Sequence, residues 1–122
     1  MASPSSVEIA ALARSLRDAW SDQTSSSSLW SAAVPEQGQC AVTALVVQDL
    51  YGGDLLRAQV TGASHYWNRL PGGLELDLTR GQFSEFRPTQ VEQRGRDYVL
   101  SFPDTEYRYE LLCQRLGRRS AA

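Results

Sequence analysis

The sequence contains no lysine, a single histidine and only two cysteines in 122 residues. All twelve basic residues are therefore arginines, and the formal net charge is −2. These arginines are scattered, apart from three near the C terminus at Arg115, Arg118 and Arg119. A mildly acidic chain without a basic patch lacks the electrostatic footprint of a nucleic-acid binder. We therefore expect no nucleic-acid partner.

Long hydrophobic runs are also missing from the sequence. No apolar stretch approaches the roughly 20 residues that a membrane-spanning helix needs. The N-terminal segment MASPSSVEIAALARSL lacks the basic region of a signal peptide. We expect no membrane partner and a cytoplasmic location, where a disulfide between Cys40 and Cys113 is not expected.

The length and composition predict one globular domain over residues 1–122. Hydrophobic residues make up 42% of the chain and charged residues 21%, which is typical of a folded protein. Residues 1–6 are small and polar and are expected to be disordered. The serine-rich segment SDQTSSSS (residues 21–28) is interpreted as a flexible loop without packing potential. Residues 118–122 are expected to be a frayed basic tail.

Apolar periodicity predicts three helices. Residues 7–20 show helical spacing of apolar residues after a capping serine, and residues 104–117 end at a glycine. CAVTALVVQDLY (residues 40–51) is apolar almost all round and is followed by Gly-Gly, which favours a buried helix. A buried strand is the alternative for this segment because it is rich in valine.

The segment between the predicted helices at residues 40–51 and 104–117 has strand character. We predict strands at about 55–60, 64–69 and 74–79, the last two joined by a turn at LPGG. Residues 98–100 are interpreted as a further strand or as an irregular lead into the last helix. The predicted fold class is α+β, with a central helix packed on a small antiparallel sheet between N- and C-terminal helices.

Cys40 stands at the predicted start of the central helix. Unpaired backbone N–H groups and the helix dipole favour negative charge there, and the thiolate is the nucleophilic form of cysteine. The preceding Gly38 would allow a substrate backbone to approach. Alternatively, Cys40 is a small buried apolar residue, as we expect for Cys113.

His65 and Asp77 lie on the two strands of the predicted hairpin. If the turn is centred on residue 71, these two residues stand opposite each other on one face of the sheet. Asp77 would then accept a hydrogen bond from one ring nitrogen and leave the other free to act as a base. On the same register, Leu74, Leu76 and Leu78 would point into the core. The alternative is a solvent-facing hairpin with an ion pair, and a one-residue slip would abolish the pairing.

The order Cys, His, Asp resembles the papain-like and transglutaminase-like superfamily. HYWN followed by LELDLT is similar to its pattern of His-x-Trp, a turn and Asp-x-Thr. Trp30, PEQGQCAVTALVVQDLYGGDLL, HYWN, LDLTRGQF and RYELLCQRL further resemble the small bacterial YunG family over residues 30–116. The resemblance implies a cysteine at the start of a buried helix packed on an antiparallel sheet. It supplies no substrate.

The resemblance implies a role for each matching residue. Cys40 is the nucleophile, His65 the base and Asp77 the orienting carboxylate. Further residues are assigned to the oxyanion site or to substrate walls: Gln37 and Gln39 for the oxyanion, and Trp30, Trp67, Asn68 or Tyr66 for the walls. Gln82 and Phe83 are expected to close a loop over the site or the core.

The predicted function is a cysteine-dependent hydrolase or acyltransferase of amide or thioester bonds. Its partner would be a peptide, amide or other small-molecule substrate, and no cofactor is expected. A zinc site at Cys40, His65 and Asp77 is disfavoured because zinc usually has four clustered protein ligands. The alternative function is a non-catalytic binding or immunity-type module with the same fold.

Overall fold

The structure, a computed structural model, describes residues 3–121. Within these residues the elements are α1 (Ser6–Ala19), α2 (Cys40–Tyr51), β1 (Asp54–Val60), β2 (Ala63–Arg69), β3 (Glu75–Leu76), β4 (Thr89–Arg94), α3 (Arg96–Leu100) and α4 (Thr105–Arg115). A 3-10 turn, Arg80–Gln82, follows β3. The strands form one antiparallel sheet in the order β3-β2-β1-β4, accompanied by helices, which confirms the α+β class.

Helix α2 is the centre of the hydrophobic core and has the predicted bounds. Every residue from Val42 to Val47 is at most 3% exposed. Each large apolar side chain buried in this way stabilises the fold by about 1.5–3 kcal/mol. The helix packs against β1, β2 and α4. No helix among residues 3–121 combines the length and the apolar character needed to cross a membrane.

The two faces of the sheet have different neighbours. Asn68 of β2 faces α2 and donates a hydrogen bond from Nδ2 to the carbonyl oxygen of Ala44 (2.9 Å). Trp67 lies on the opposite face, where it forms a second small core with two side chains of β1. Phe86, from the segment after β3, packs edge-on against Trp67. Because side chains alternate along a strand, His65 shares the face of Trp67.

The β2–β3 hairpin differs from the predicted one in its turn. The N–H of Leu70 donates to the carbonyl oxygen of Leu74 (2.7 Å), so the turn is one residue longer than LPGG. This shifts the register away from the predicted pairing of His65 with Asp77, and β3 ends after two residues. Leu74, predicted to point into the core, is 47% exposed. The observed pairs are Asn68↔Leu76 and Arg69↔Glu75.

Two elements near the C terminus differ from the sequence prediction. β4 was missed because it is an edge strand with mostly polar residues and shows no alternation of burial. Residues 98–100, interpreted as a strand or irregular segment, belong to α3. Arg96 of this helix donates to Oε1 of Gln48 (2.9 Å) and forms an ion pair with Asp49 (2.8 Å). These contacts anchor α3 on α2.

The segments expected to be loose make specific contacts. Ser5 caps α1 by accepting a hydrogen bond from the N–H of Glu8, while residues 1, 2 and 122 lie outside the described part. In the C-terminal tail, the N–H of Arg118 donates to the carbonyl oxygen of Cys113 (2.8 Å). The interpretation of residues 21–28 as a loop without packing was wrong, since Thr24 is fully buried there.

Candidate active site

Cys40 is the first residue of α2, and only 8% of it is exposed. Its Sγ atom lies 4.0 Å from the carbonyl oxygen of Ser64 at the start of β2. None of the described residues caps this helix end with a side chain. The first N–H groups of α2 therefore lack intrahelical partners and favour a negative charge next to the thiol.

The turn before Cys40 is held by the serine-rich loop, residues 21–28. Gly38 has a φ of +73°, and a Cβ at this position would lie 2.2 Å from Oγ of Ser25 and 2.7 Å from the backbone N of Ser27. The carbonyl oxygen of Gly38 accepts a hydrogen bond from the N–H of Ser26 (2.9 Å). Gly38 thus allows a close approach of the chain's own backbone, where the sequence suggested that of a substrate.

His65 and Asp77 form a hydrogen bond despite the shifted register. Nε2 of His65 lies 2.6 Å from Oδ2 of Asp77, and His65 is fully buried. The chain leaves the sheet after β3, and a turn carries Asp77 to the imidazole. Its other oxygen, Oδ1, accepts a hydrogen bond from the N–H of Thr79 (3.1 Å). Both carboxylate oxygens are therefore fixed, which explains the Asp-Leu-Thr sequence here.

Three aromatic rings enclose His65. Trp67 stacks on the imidazole with ring centroids 5.7 Å apart. Phe83 and Phe86 meet it edge-on at 4.9 and 5.5 Å. These rings exclude water from the imidazole, so its hydrogen bonds act in surroundings of low polarity.

The pKa of His65 is raised from 6.5 to about 9. Burial is the largest influence and acts downward, because it removes water from the charged imidazolium. The hydrogen bonds to Asp77 and Cys40, together with the charges of these two residues, act upward and outweigh burial. His65 is therefore an imidazolium at neutral pH and interacts with both other members of the predicted triad.

Gln82 belongs to this site, although the sequence indicated only a residue in a covering loop. Its Oε1 accepts a hydrogen bond from the N–H of Gly38 (3.2 Å), and its Nε2 lies 3.4 Å from Nδ1 of His65. Gln82 therefore lies between the turn before Cys40 and the imidazole, and its Nε2 can donate to Nδ1 when His65 is neutral. In the sequence, the position of Gln82 shortly after the Asp-Leu-Thr turn is the feature that indicates it as a site residue.

The two glutamines assigned to the oxyanion site have different positions. Gln39 is fully buried; its Oε1 accepts from Thr24 (2.8 Å) and its Nε2 donates to the carbonyl oxygen of Ser21 (3.0 Å). Its amide therefore holds the serine-rich loop and does not reach the site. Gln37 lines a cavity together with Cys40.

The residues assigned to substrate walls are only partly brought together. Trp30 donates from Nε1 to the carbonyl oxygen of Pro35 (2.9 Å) within its own loop. Asn68 donates its hydrogen bond to α2, as described above, whereas Trp67 stacks on His65 on the face of the sheet opposite to Asn68. Tyr66, the remaining candidate, lines a cavity that contains Cys40.

Two cavities meet at Cys40 and share Ser26 and Ser64. One of about 410 Å³ has no charged lining residue, and it includes Gln37 and Gln82. The other, of about 230 Å³, is lined by Ala41, Tyr66, Val99, Phe102, Thr105 and Arg108 in addition to the shared residues. Cys40 therefore lines both spaces. No group of three or more His, Cys, Asp or Glu in residues 3–121 is arranged to hold a metal ion.

The family model described as YunG protein matches residues 8–121. The chain belongs to the YunG family. It is 35% identical over 104 residues to a protein of Bacillus subtilis (strain 168) named "Uncharacterized protein YunG", a match that covers 84% of this chain and 86% of that protein. No solved structure matches this YunG-family chain significantly.

Proposed function

We propose that this chain is a cysteine-dependent hydrolase or acyltransferase of amide or thioester bonds, with a papain-like or transglutaminase-like arrangement. The position of His65 carries the proposal: Nε2 of its imidazole lies 2.6 Å from Oδ2 of Asp77, and Sγ of Cys40 contacts the carbonyl oxygen of Ser64, the residue before His65. A nucleophile, a base and a residue that orients the base are the groups this chemistry requires. The cysteine at the start of a central helix packed on an antiparallel sheet supports the same assignment.

In the proposed reaction, Sγ of Cys40 attacks the substrate carbonyl as a thiolate while His65 carries the proton. The bond from the carbonyl carbon to the leaving nitrogen or sulfur then breaks, and His65 gives its proton to the leaving group. The acyl group remains on Sγ as a thioester. Water or an amine attacks this thioester, His65 takes the proton of the attacking group, and the C–S bond breaks to restore the thiolate and the imidazolium.

The oxyanion formed in each step needs hydrogen-bond donors. The backbone N–H of Cys40, at the start of α2, is the first candidate. Gln37 and Gln82 carry side-chain amides in the cavity next to the thiol, in place of the buried Gln39. Loss of one such donor typically lowers kcat by about 10²- to 10³-fold.

A minimal ester tests this proposal without knowledge of the natural substrate. On treatment with p-nitrophenyl acetate, we expect a burst of p-nitrophenolate and one acetyl group on Cys40, located by peptide mass spectrometry. Cys113→Ser should retain the burst, whereas Cys40→Ser and His65→Ala should lose it. Acetylation that is unaffected by His65→Ala, or absent from Cys40 in the folded protein, would contradict the proposal.

A non-catalytic binding module is the second candidate, and the low exposure of Cys40 favours it. In that case the Cys40→Ala variant would bind its partner as well as the unmodified chain does. The burst experiment separates the two candidates, because a binding module would form no acyl intermediate.

A further inference from the structure

The smaller cavity beside Cys40 combines apolar walls with one charged group. Tyr66, Val99 and Phe102 are among its lining residues, and Arg108 of α4 is the only charged residue among them. The lining residues of the larger cavity carry no charge at all. No carboxylate therefore lines either space in a chain with a net charge of −2.

Arg108 has unused hydrogen-bonding capacity. Its Nη2 donates to Oγ1 of Thr105 (3.2 Å), a neutral acceptor that also lines the cavity. Its buried Nε has no hydrogen-bond partner, and no ion pair with Arg108 is formed within residues 3–121. By contrast, Arg96 of the neighbouring helix pairs with Asp49. A guanidinium that has no carboxylate of its own chain can bind one from a ligand, in bidentate geometry if both are accessible.

One lining residue of this cavity, Phe102, has an exposed aromatic ring. Phe102 is 46% exposed and packs edge-on against Tyr98, with ring centroids 5.3 Å apart. Two exposed aromatic residues beside an apolar cavity favour binding of an apolar group. The volume of about 230 Å³ is below the roughly 300–1,000 Å³ of pockets for drug-sized ligands, which points to a small group.

We propose that this cavity binds an apolar or aromatic group that carries a carboxylate, which Arg108 recognises. A hydrophobic residue at the C terminus of a peptide has this chemistry. The inference deepens the proposed function and rests on it for one point only, that the group bound here belongs to the molecule acylating Cys40. Substrates would then be small amides or thioesters in which the reacting carbonyl lies near such an anionic, apolar group.

Binding of 3-phenylpropionate, compared with the uncharged 3-phenylpropionamide, tests the inference. The protein is Cys40→Ser, so that no reaction at sulfur is required, and the readout is the shift of the backbone amide signals of Ala41, Thr105 and Arg108 in NMR titrations. We expect the carboxylate to bind at least about tenfold more tightly than the amide, as a charge-assisted hydrogen bond implies.

The variants separate charge recognition from general packing. Arg108→Gln should abolish the preference for the carboxylate, and Arg108→Lys should retain part of it. Arg14→Gln, on the exposed surface of α1, should leave it unchanged. Phe102→Ala should weaken both compounds to a similar extent.

The outcome is independent of catalysis. A carboxylate preference that depends on Arg108 supports the inference even if no acyl intermediate is ever found, in which case the proposed function fails alone. Equal binding of the two compounds, or a preference that persists in Arg108→Gln, overturns the inference and leaves acyl transfer by Cys40 untouched.

Discussion

The Nε2 atom of His65 lies 2.6 Å from Oδ2 of Asp77, although the two residues do not pair in the sheet. Asp77 reaches the imidazole from a turn, where the N–H of Thr79 fixes its second oxygen. The orientation of the imidazole is therefore set by a turn outside the hairpin, and its other nitrogen, Nδ1, faces Nε2 of Gln82 (3.4 Å).

Replacing Asp77 by Asn should lower the pKa of His65 from its value of about 9. The substitution removes a negative charge and a charge-assisted hydrogen bond that favour the imidazolium, while burial continues to oppose it. His65 is the only histidine, so its imidazole Hε1 signal in the untagged protein can be followed by NMR without assignment.

Glu75→Gln is the matched control for this titration. Glu75 accepts a hydrogen bond from Nε1 of Trp67 (2.7 Å) on the same face of the sheet, but it does not contact His65. The midpoint of His65 should stay near pH 9 in this variant. An unchanged midpoint in Asp77→Asn would show that Asp77 does not control the imidazole.

Gly38→Ala should destabilise the protein strongly. A Cβ at this position would clash with Ser25 and with the backbone of Ser27, and the φ of +73° is unfavourable for alanine. We expect a loss of about 3 kcal/mol or more in the free energy of unfolding, measured with urea. Gly62→Ala is the control, since Gly62 has a similar φ of +83° but no neighbour within 4 Å. It should cost roughly 1–2 kcal/mol; equal losses in the two variants would argue against close packing of the serine-rich loop.

Tyr109 should make stability fall at alkaline pH. Burial first, and then its hydrogen bond to Asp49, raise the pKa of Tyr109 to about 12 from 10.0. Because the folded state holds this proton more tightly than the unfolded state, the contribution is complete below pH 10.0 and is lost as the pH rises towards 12. Its size is on the order of 2–3 kcal/mol.

The measurement is the free energy of unfolding between pH 9 and 11.5, compared with that of Tyr109→Phe. The variant should be less stable at neutral pH by about 1–3 kcal/mol, since Asp49 loses a donor. It should also lose less stability as the pH rises. Identical slopes for the two proteins would contradict the role of Tyr109.

Sequence patterns predict those elements in which the apolar residues are also the buried ones. The bounds of α2 follow from an unbroken apolar run that ends at Gly-Gly. β4 could not be predicted, because an exposed edge strand needs no alternation of apolar residues. α3 is a helix of five residues anchored by Arg96 to Asp49, a contact between distant parts of the chain that local patterns do not reveal.

The candidate site was predictable in its residue types and less so in its geometry. The contact between His65 and Asp77 was expected, but from a hairpin register that the longer turn at Leu70–Leu74 rules out. Gln37 and Gln39 could not be distinguished by their nearness to Cys40, since their roles depend on which amide is buried. The serine-rich loop was misjudged because its contacts, such as those of Thr24 with Gln39 and of Ser26 with Gly38, join it to another segment of the chain, which composition does not encode.

The central claim is that Cys40 and His65 act as one unit. The rate of Cys40 alkylation by iodoacetamide between pH 5.5 and 9, in a Cys113→Ser background, tests it most directly. Cys113 is only 1% exposed, and burial raises the pKa of its thiol, so we expect it to react slowly. Replacing it by serine removes its remaining contribution to the alkylation signal. A free thiol has a pKa of about 8.5. We expect a fast reaction that persists well below this pH in the protein with His65 and that is lost in His65→Ala. A rate that falls about tenfold per pH unit below that value in both proteins, or a reaction only in denaturant, would contradict the account.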